Sequence, residues 1–377
     1  MDIVPNYNVA IIGAGPAGCS CAIAILNAGI ANVTLVDTSK TGKFHIGESI
    51  PPEMNPILRQ LGIAEAFQAQ NHEPCFGSCS YWGNDKRGYN DSILSPFGHG
   101  WHLDRAKFNQ FLVNEAVERG AKVLSGHSYQ SSAKTEHGYQ LSLKNEAGDI
   151  RSIEADFVVD ASGVRSVFAT DQGSKKQHET PLVCLALRFK NKGLREVSKL
   201  THLESVENGW WYAARIPNEQ LLVTLYTNAE TVKKLGLNDL KSWIQLLQQS
   251  QNTHQWIAQM EPIDQKLLGF PAQSFCLDQI VGENWMAIGD AASAYDPITS
   301  QGIIKSITQG MRAAEIITHC KNGAKEALPY FEKEVLHHYE QYKEARQHFY
   351  GLEQRWPQSE FWKEVHGLGS IVGVNWF

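Results

Sequence analysis

The sequence predicts an α/β protein in which a parallel β-sheet domain is interrupted in sequence by an antiparallel β-sheet and followed by C-terminal helices. Three observations support this fold class. Residues 7–36 read as a strand, a helix rich in Ala and Cys, and a second strand. Apolar strands separated by turn residues fill about 181–275. A buried strand at 285–288 then returns the chain to the first domain.

Glycines form a tight turn between the first strand and its helix. The order strand, GxGxxG and helix is that of a dinucleotide-binding turn, and Asp37 ends the second strand about 20 residues later. Gly13 allows the turn, Gly15 lets the backbone approach a pyrophosphate, and Gly18 lets the helix pack closely on the sheet. The helix N-terminus offers N–H groups to the phosphates, and Asp37 is expected to hold an adenosine ribose.

Two other strand ends carry short motifs with Gly and Asp. Gly289 and Asp290 follow the buried strand at 285–288, and a helix begins near residue 300. A further stretch starts at Asp160, directly after a buried strand at 157–159. Each motif stands where a strand ends, which is where open α/β sheets bind their ligands.

Together these stretches resemble the FAD-dependent monooxygenase superfamily, whose members have p-hydroxybenzoate-hydroxylase-like or flavin-halogenase-like folds. The resemblance covers about residues 7–320. It implies a Rossmann-like FAD-binding domain, an inserted antiparallel β-sheet that binds the substrate, and FAD as the cofactor. The helix that begins near residue 300 would point its positive end at the flavin, where negative charge resides in the reduced cofactor. The expected cofactor-binding residues are Gly13, Gly15, Pro16, Ala17, Gly18, Asp37, Glu48, Ser49, Arg105, Asp160, Gly163, Gly289, Asp290, Pro297, Gly302 and Ile303.

The loop at 47–52 resembles the corresponding loop of flavin-dependent halogenases and their hydroxylase-like relatives. Halogenases need a lysine within a Phe-Lys-x-Gly segment, but the best match here has Cys75 in place of the lysine, and Lys86 lies farther along. The aromatic segment at 209–217 also departs from the halogenase pattern. The chain looks most similar to flavoprotein maturases that modify a tryptophan of an amino-acid oxidase during cysteine tryptophylquinone biogenesis.

This branch implies an enzyme, an FAD-dependent monooxygenase that hydroxylates an aromatic substrate, most specifically a tryptophan residue of an oxidase precursor. Such a reaction needs molecular oxygen and an external electron donor. Three alternatives stay open: a flavin-dependent halogenase, a geranylgeranyl-reductase-like flavin reductase, and an FAD-containing maturation protein that binds its partner without turnover. Because the flavin carries the chemistry, no side chain must act as acid or base. The catalytic residues are unassigned, with four candidates: His45, Glu48, Trp211 and Pro297.

The predicted domain boundaries follow the changes in sequence pattern. The FAD-binding domain is discontinuous and comprises 1–80, 100–180 and 276–325. The substrate-binding β-sheet domain comprises 81–99 and 181–275, and a helical region occupies 326–377.

Composition argues against several other classes of protein. The 34 basic and 40 acidic residues give a net charge of -6, so no basic surface for nucleic acid is expected. The sequence has neither a charged and apolar leader nor an apolar run long enough for a membrane span, which predicts a cytoplasmic protein. The seven cysteines, with no CxxC spacing, favour free core thiols over disulfides or a metal site.

Overall fold

The computed structural model describes residues 7–29, 32–38, 44–179, 182–191 and 198–367. The predicted α/β fold class is confirmed, because one mainly parallel sheet and one larger, mainly antiparallel sheet contain most of the strands. Parts of all three predicted domains lie outside the described residues, namely 1–6, 30–31, 39–43, 180–181, 192–197 and 368–377.

Six strands form a sheet that we call the nucleotide sheet. Its strands, in spatial order, are Val281–Gly282, Trp285–Ala287, Phe157–Asp160, Asn8–Ile12, Asn32–Asp37 and Lys122–Ser125. Only the first two strands pair antiparallel. Parallel strands covered on both faces are apolar throughout rather than alternating, and the run at 157–160 is accordingly buried at every residue.

The register of the nucleotide sheet brings the three predicted motifs to one edge. Ile12 pairs with Val36 on one side and with Asp160 on the other. Asp160 in turn pairs with Ala287. Because these strands are parallel, their carboxyl ends meet at the same edge, and the loops that follow them lie side by side.

Three helices cover the nucleotide sheet near this edge. Helix Pro16–Asn27 contacts both Arg105–Glu118 and Gly302–Lys321. A side chain at Gly310 would place its Cβ 2.1 Å from Oγ of Ser20. The glycine therefore permits a close approach of the first and last of these helices.

Eight strands form a second sheet that we call the broad sheet. They are Met260–Pro262, Leu182–Asn191, Gln220–Asn228, Gly209–Ile216, Thr201–Val206, Gly77–Tyr81 and Gly88–Asp91 in spatial order, with Leu268–Pro271 beside Leu182–Asn191. All its pairs are antiparallel except Thr201–Val206 with Gly77–Tyr81. The strand Gly77–Tyr81 thus joins the broad sheet, although the sequence analysis assigned residues up to 80 to the FAD-binding domain.

The central strand Gly209–Ile216 buries both of its faces. Successive side chains of a strand point to opposite faces. Trp210 and Tyr212 therefore join one core cluster, whereas Trp211 joins another and packs edge-on against Trp243 with ring centroids 5.0 Å apart. A hairpin turn at 217–220 follows this strand, with positive φ angles at Asn218 and Glu219.

The remaining strands and helices lie outside the two large sheets. Three small sheets contain Ile150–Ala155, Tyr139–Asn145 and His127–Lys134; Lys176–His178, Phe275–Leu277 and Ser293–Ala294; and Ser49–Ile50, Gly100–His102 and Glu73–Cys75. The other helices are Met54–Gln60, Ala64–Gln68, Val167–Asp171, Ala229–Lys234, Leu240–Gln248, Thr253–Trp256, Ala327–Gly351 and Glu360–Gly367, with 3₁₀ turns at Gly163–Arg165, Gly289–Ala291 and Pro297–Thr299. All seven cysteines are buried and free, as the sequence predicts.

The C-terminal helices pack against the broad sheet through aromatic residues and one buried carboxylate. The Trp362 indole N–H donates to the Val206 carbonyl at 2.9 Å. Oε2 of Glu353 accepts hydrogen bonds from the Gly83 amide at 2.8 Å, the Ser205 hydroxyl at 2.6 Å and Arg355 at 2.7 Å. The Glu353 carboxylate therefore ties the C-terminal segment to strand Thr201–Val206 and to the turn that follows strand Gly77–Tyr81.

Glu353 is expected to make the stability of the fold depend on pH in acid. Burial alone would raise the pKa of Glu353, but hydrogen bonds from Arg355, Ser205 and Gly83 lower it to about 2. A carboxyl group with a depressed folded-state pKa stabilises fully above its unfolded pKa, and that stabilisation is lost as pH falls towards the folded pKa. The free energy of unfolding contributed by Glu353 should fall by about 2 kcal/mol between about pH 7 and about pH 3.

Denaturant unfolding of Glu353→Gln beside the parent chain measures this contribution. The stability difference between the two should shrink as the pH is lowered. Glu340→Gln is the matched control, since Glu340 pairs with Lys343 on an exposed helix face, and should show little change. A difference for Glu353→Gln that is constant with pH would contradict the assignment.

Candidate active site

The glycine turn at 13–18 is built to leave one side open. Gly13 has a φ of 114°, and a Cβ there would lie 2.2 Å from the Ala161 carbonyl oxygen. A Cβ at Gly18 would lie 1.9 Å from the carbonyl oxygen of Gly13. A Cβ at Gly15 meets no atom within 4 Å. The first and third glycines are thus required by the protein's own packing, whereas Gly15 faces open space.

The motif at Gly289 lies directly against this turn. Gly289 has a φ of 62°, and a Cβ there would lie 2.7 Å from the Ala17 side chain. Its amide donates to Oε1 of Gln309 at 2.7 Å. The strand-end motifs at 13–18 and 289–290, which are far apart in sequence, therefore form one continuous surface.

Asp160 supports this surface without facing it. Its Oδ1 accepts from the Ser162 amide at 3.0 Å, and its Oδ2 accepts from the amides of Phe168 and Ala169 at 2.8 and 2.9 Å. The side chain is fully buried. Both side-chain oxygens of Asp160 thus accept from the backbone of the following loop and of helix Val167–Asp171, and its contact with the cofactor stays a prediction. Gly163 lies in that loop with a positive φ.

A cavity of about 210 Å³ opens where the nucleotide sheet, the loop at 46–49 and the broad sheet meet. Its lining combines backbone at two helix starts with aromatic and charged side chains. The lining residues are Pro16, Ile46, Gly47, Glu48, Ser49, Arg105, Trp210, Tyr212, Tyr226, Asp290, Tyr295, Asp296, Pro297, Ser300, Gly302, Ile303 and Ser306. Most predicted cofactor residues outside the glycine turn are therefore brought to one cavity.

Charged side chains of both signs lie in and beside the lining of this cavity. Arg105 donates through one terminal nitrogen to the carbonyls of Ile46 and Gly47 at 2.6 and 2.7 Å. Asp290 pairs with Lys305 at 2.9 Å. Burial lowers the pKa of the Arg105 guanidinium, while the charges of Glu48 and Asp290 act to raise it. Arg105 thus stays close to two carboxylates in a site with little water to screen them.

Burial raises the pKa of Glu48, while a hydrogen bond with Tyr212 and the charge of Arg105 act to lower it. The carboxyl group is buried within the lining of the cavity. Burial thus disfavours the ionised form of Glu48 in this cavity.

The residues present fit FAD. Helices Pro16–Asn27 and Gly302–Lys321 both begin without a side-chain cap, so their first N–H groups stay available to phosphate and to a flavin ring edge. The Nε atom of Arg105 is buried and has no hydrogen-bond partner among the described residues. Asp37 follows Val36, whose carbonyl accepts from Gly13 at 2.8 Å, so it lies at the same edge. The roles of these residues towards FAD stay predictions.

The four candidate catalytic residues separate into two groups. Glu48 and Pro297 line the cavity, and Pro297 opens a 3₁₀ turn just before Gly302. His45 is half-buried in the preceding loop and is not among the described lining residues. Trp211 points to the opposite face of the broad sheet and is not brought to the cavity, and its catalytic role stays a prediction. Its neighbours Trp210 and Tyr212 line the cavity instead.

Sequence reasoning missed a buried cluster beside the cavity. Asp296 is 1% exposed, and its Oδ2 accepts from Nε of Arg346 at 3.2 Å and from the Tyr350 hydroxyl at 2.9 Å. The Tyr350 hydroxyl also accepts from the Trp210 indole N–H at 3.1 Å. This cluster connects the cavity wall to helix Ala327–Gly351. The aspartate stands next to the predicted Pro297, but nothing in the sequence pattern marks its partners.

The uncapped helix starts, the converging strand ends and the cavity beside them define a flavoprotein that binds a dinucleotide. The chain belongs to the FAD binding domain family (FAD_binding_3), whose profile matches residues 6–345. It is an FAD-dependent oxidoreductase with the monooxygenase type of fold, which confirms the predicted cofactor and enzyme class.

Relatives and solved structures agree with this membership. LodB of Marinomonas mediterranea, a putative FAD-dependent oxidoreductase, is 25% identical over 368 residues, which cover 97% of this chain and 98% of LodB. The flavin-dependent halogenase CmlS has a TM-score of 0.86 at 23% identity, covering 95% of this chain and 67% of CmlS. QhpG, a peptidyl tryptophan dihydroxylase essential for tryptophylquinone cofactor biogenesis, has a TM-score of 0.76 at 21% identity, covering 96% of this chain and 79% of QhpG. The two structural likenesses show the fold.

The described part of the chain lacks two other kinds of feature. None of its helices combines the length and apolarity needed to cross a membrane. Its His, Cys, Asp and Glu side chains form no group of three or more arranged to hold a metal ion.

Proposed function

We propose that this protein is a flavin monooxygenase that hydroxylates a tryptophan side chain of a partner oxidase precursor during assembly of cysteine tryptophylquinone. The similarity to LodB over nearly the whole of both chains supports this function. So does the fold shared with QhpG, whose substrate is a tryptophan in a peptide chain. The electron donor is a separate reductant, and the oxidant is molecular oxygen.

The aromatic lining of the cavity is the observation that carries the proposal. Trp210, Tyr212, Tyr226 and Tyr295 all border the space beside Pro297. Trp210 and Tyr226 stack with ring centroids 4.1 Å apart. Aromatic walls offer an indole ring offset or edge-on contacts, which add to the energy of burying its surface. An indole is therefore a suitable occupant.

Bound FAD would supply the activation of oxygen, and the protein supplies binding, orientation and exclusion of water. The helix starts at Pro16 and Gly302 would hold the cofactor through backbone N–H groups. The buried rings of Trp210 and Tyr212 hold the substrate ring in place and exclude water. Pro297 and Ile303 line the same cavity as these rings.

Halogenation, the main alternative, is supported by the fold shared with CmlS. The positions that would supply its lysine argue against it. Cys75 is buried, and its thiol donates to the Gly77 carbonyl at 3.3 Å. Lys86 is exposed in the turn between Gly77–Tyr81 and Gly88–Asp91. Among the described residues that line the cavity there is no lysine, and a thiol in that place would itself be oxidised by hypohalous acid.

The test supplies reduced flavin, oxygen and bromide together with free tryptophan, a tryptophan peptide or the precursor protein. Mass spectrometry should find oxygen added to the precursor and no bromotryptophan. Bromotryptophan that disappears in Lys86→Ala would establish the halogenase instead. Reduction of the substrate without oxygen uptake would indicate a flavin reductase. Maturation of the precursor by a variant that holds no FAD would indicate a partner-binding protein without turnover.

A further inference from the structure

Four of the ten tryptophans lie in a row that joins the cavity to a second, separate cavity. Trp210 is the one tryptophan among the described residues that line the first cavity. Its ring centroid lies 6.2 Å from that of Trp82, which lies 5.8 Å from that of Trp362. Trp362 stacks on Trp356 with centroids 6.0 Å apart, and Trp356 borders the second cavity, of about 160 Å³. We call these four rings the tryptophan row.

The tryptophan row begins in the protein interior and ends at a ring that is half-buried. Trp210 is 0% exposed and Trp362 1%, whereas Trp356 is half-buried. The edge-on and stacked arrangements seen here bring neighbouring rings into contact. Indole is among the side-chain groups that give up an electron most readily, and electrons pass quickly between aromatic rings in contact. An electron vacancy formed at Trp210 therefore has a path outwards.

The hydrogen bonds of the inner indole rings keep the vacancy moving. An oxidised indole is a much stronger acid at its N–H, and loss of that proton would fix the vacancy as a neutral radical. Trp82 donates its N–H to the Phe349 carbonyl at 2.6 Å, and Trp362 donates to the Val206 carbonyl at 2.9 Å. Carbonyl oxygens are weak bases, so both rings keep their protons.

Trp356 is the ring at which a proton can leave. No described residue accepts a hydrogen bond from its indole N–H, and the N–H is not among the buried polar atoms that lack a partner, so water can reach it. The Arg355 guanidinium lies over the ring, 4.3 Å from its centroid. A positive charge so close favours loss of the proton from an oxidised ring. The vacancy is therefore trapped at Trp356.

Tyr350 is a side branch of the row and not its end. Its hydroxyl accepts from the Trp210 indole N–H and donates to Oδ2 of Asp296 at 2.9 Å. Oxidation of Tyr350 would move its proton to the Asp296 carboxylate. Asp296 would then lose its charge and leave its buried partner Arg346 unpaired, which is costly.

We propose that the tryptophan row carries oxidising equivalents that find no substrate out of the cavity to Trp356, where a small thiol in solution removes them. Trp210 gives one electron to the oxidant in the cavity, and Trp82, Trp362 and Trp356 refill the vacancy in turn. Trp356 releases its indole proton to water. The neutral radical then takes a hydrogen atom from the thiol, and two thiyl radicals combine to a disulfide.

The proposed hydroxylation gives this path a use, and only this reason rests on that proposal. Trp210 presents the same indole ring as the proposed substrate, in the wall of a cavity where oxygen is activated. When no substrate is bound, an activated oxygen species would oxidise Trp210 itself. Transfer of the vacancy to Trp356 spares the cavity wall, because Trp356 borders a different cavity.

The first test uses light in place of oxygen. A short pulse of blue light excites the oxidised FAD of the holoenzyme without substrate, and the excited flavin takes an electron from Trp210. Time-resolved absorption and electron paramagnetic resonance should detect a long-lived neutral tryptophanyl radical. In Trp356→Phe and in Trp362→Phe that radical should be lost, because the vacancy stays on a ring that keeps its proton and the electron returns from the flavin.

Trp243→Phe is the matched control, because Trp243 is equally buried but packs against Trp211 on the opposite face of the broad sheet. Its radical should match that of the parent, and flavin content checks the fold of every variant. Absence of a long-lived radical in the parent, an unchanged radical in Trp356→Phe, or a tyrosyl radical in its place would overturn the inference.

The second test maps the damage. Reduced flavin and oxygen are supplied without substrate and without thiol, and peptide mass spectrometry locates the added oxygen. It should lie mainly on Trp356 in the parent and on Trp210 or Trp82 in Trp362→Phe, and a small thiol should suppress it only in the parent. Damage mainly at Trp210 in the parent would overturn the inference. Neither test uses a tryptophan substrate, so a failure of hydroxylation leaves the result intact, and the reverse also holds.

Discussion

Gly15→Val should give a folded protein that no longer retains FAD. The backbone at Gly15 has φ -79° and ψ -174°, a region that valine adopts readily. A Cβ there meets no protein atom within 4 Å. The conflict arises only when a pyrophosphate approaches the N–H groups at the start of helix Pro16–Asn27. We expect FAD affinity to fall at least about 100-fold, or about 2.7 kcal/mol.

Flavin absorbance per chain after gel filtration measures the loss, and circular dichroism checks the fold. Gly351→Val is the matched control, because a Cβ at that helix end also meets no atom within 4 Å but is remote from the turn. Its flavin content should equal that of the parent. Gly18→Ala should unfold instead, since its Cβ would contact the Gly13 carbonyl. A folded Gly15→Val with full flavin content would contradict the assignment of the turn.

Arg346→Ala should be among the most destabilising single substitutions in the described part of the chain. Arg346 and Asp296 form an ion pair whose side chains are 7% and 1% exposed. Removing one partner of a buried pair leaves the other charge in a medium that solvates it poorly, at a cost of about 3–5 kcal/mol. The same change removes a support of the cavity wall, since Tyr350 bridges Asp296 and Trp210.

Denaturant unfolding measures this cost against a control from the neighbouring helix. Arg312 pairs with Glu315 and Glu334, but its side chain is 39% exposed. Arg312→Ala should cost about 1 kcal/mol or less. If both arginine variants lose the same stability, burial is not what makes the Arg346 pair important. Combining Arg346→Ala with Asp296→Ala should recover part of the loss, because no charge is then left unpaired.

The parts of the site that the sequence predicted are those determined by local geometry. The turn at Gly13 and the open position at Gly15 follow from the order of strand, glycines and helix. The convergence of Asp160 and Gly289 with this turn follows from the rule that parallel strands end at one edge. The role of Asp160 could not be derived in the same way, because its position at a strand end is compatible with facing the ligand or supporting the loop.

The features of the fold and of the site that the sequence did not predict depend on contacts between distant parts of the chain. Alternation along a strand places Trp211 and its neighbours on opposite faces, but which face borders the cavity depends on how the sheet packs. The strand Gly77–Tyr81 pairs with Thr201–Val206, about 120 residues later, and no local pattern indicates that register. Arg346 likewise reaches Asp296 from a helix whose spacing shows only amphipathic character.

The parallel pairing of Gly77–Tyr81 with Thr201–Val206 has a consequence for attempts to exchange substrate preference between relatives. A graft that transfers only the contiguous segment 182–271 leaves two strands of the recipient, Gly77–Tyr81 and Gly88–Asp91, at the edge of the foreign sheet. The transplanted strand would then pair with a recipient strand from a different relative. The cross-strand side chains that fix the register would not match. A functional chimera of this enzyme needs both pieces to come from the same parent.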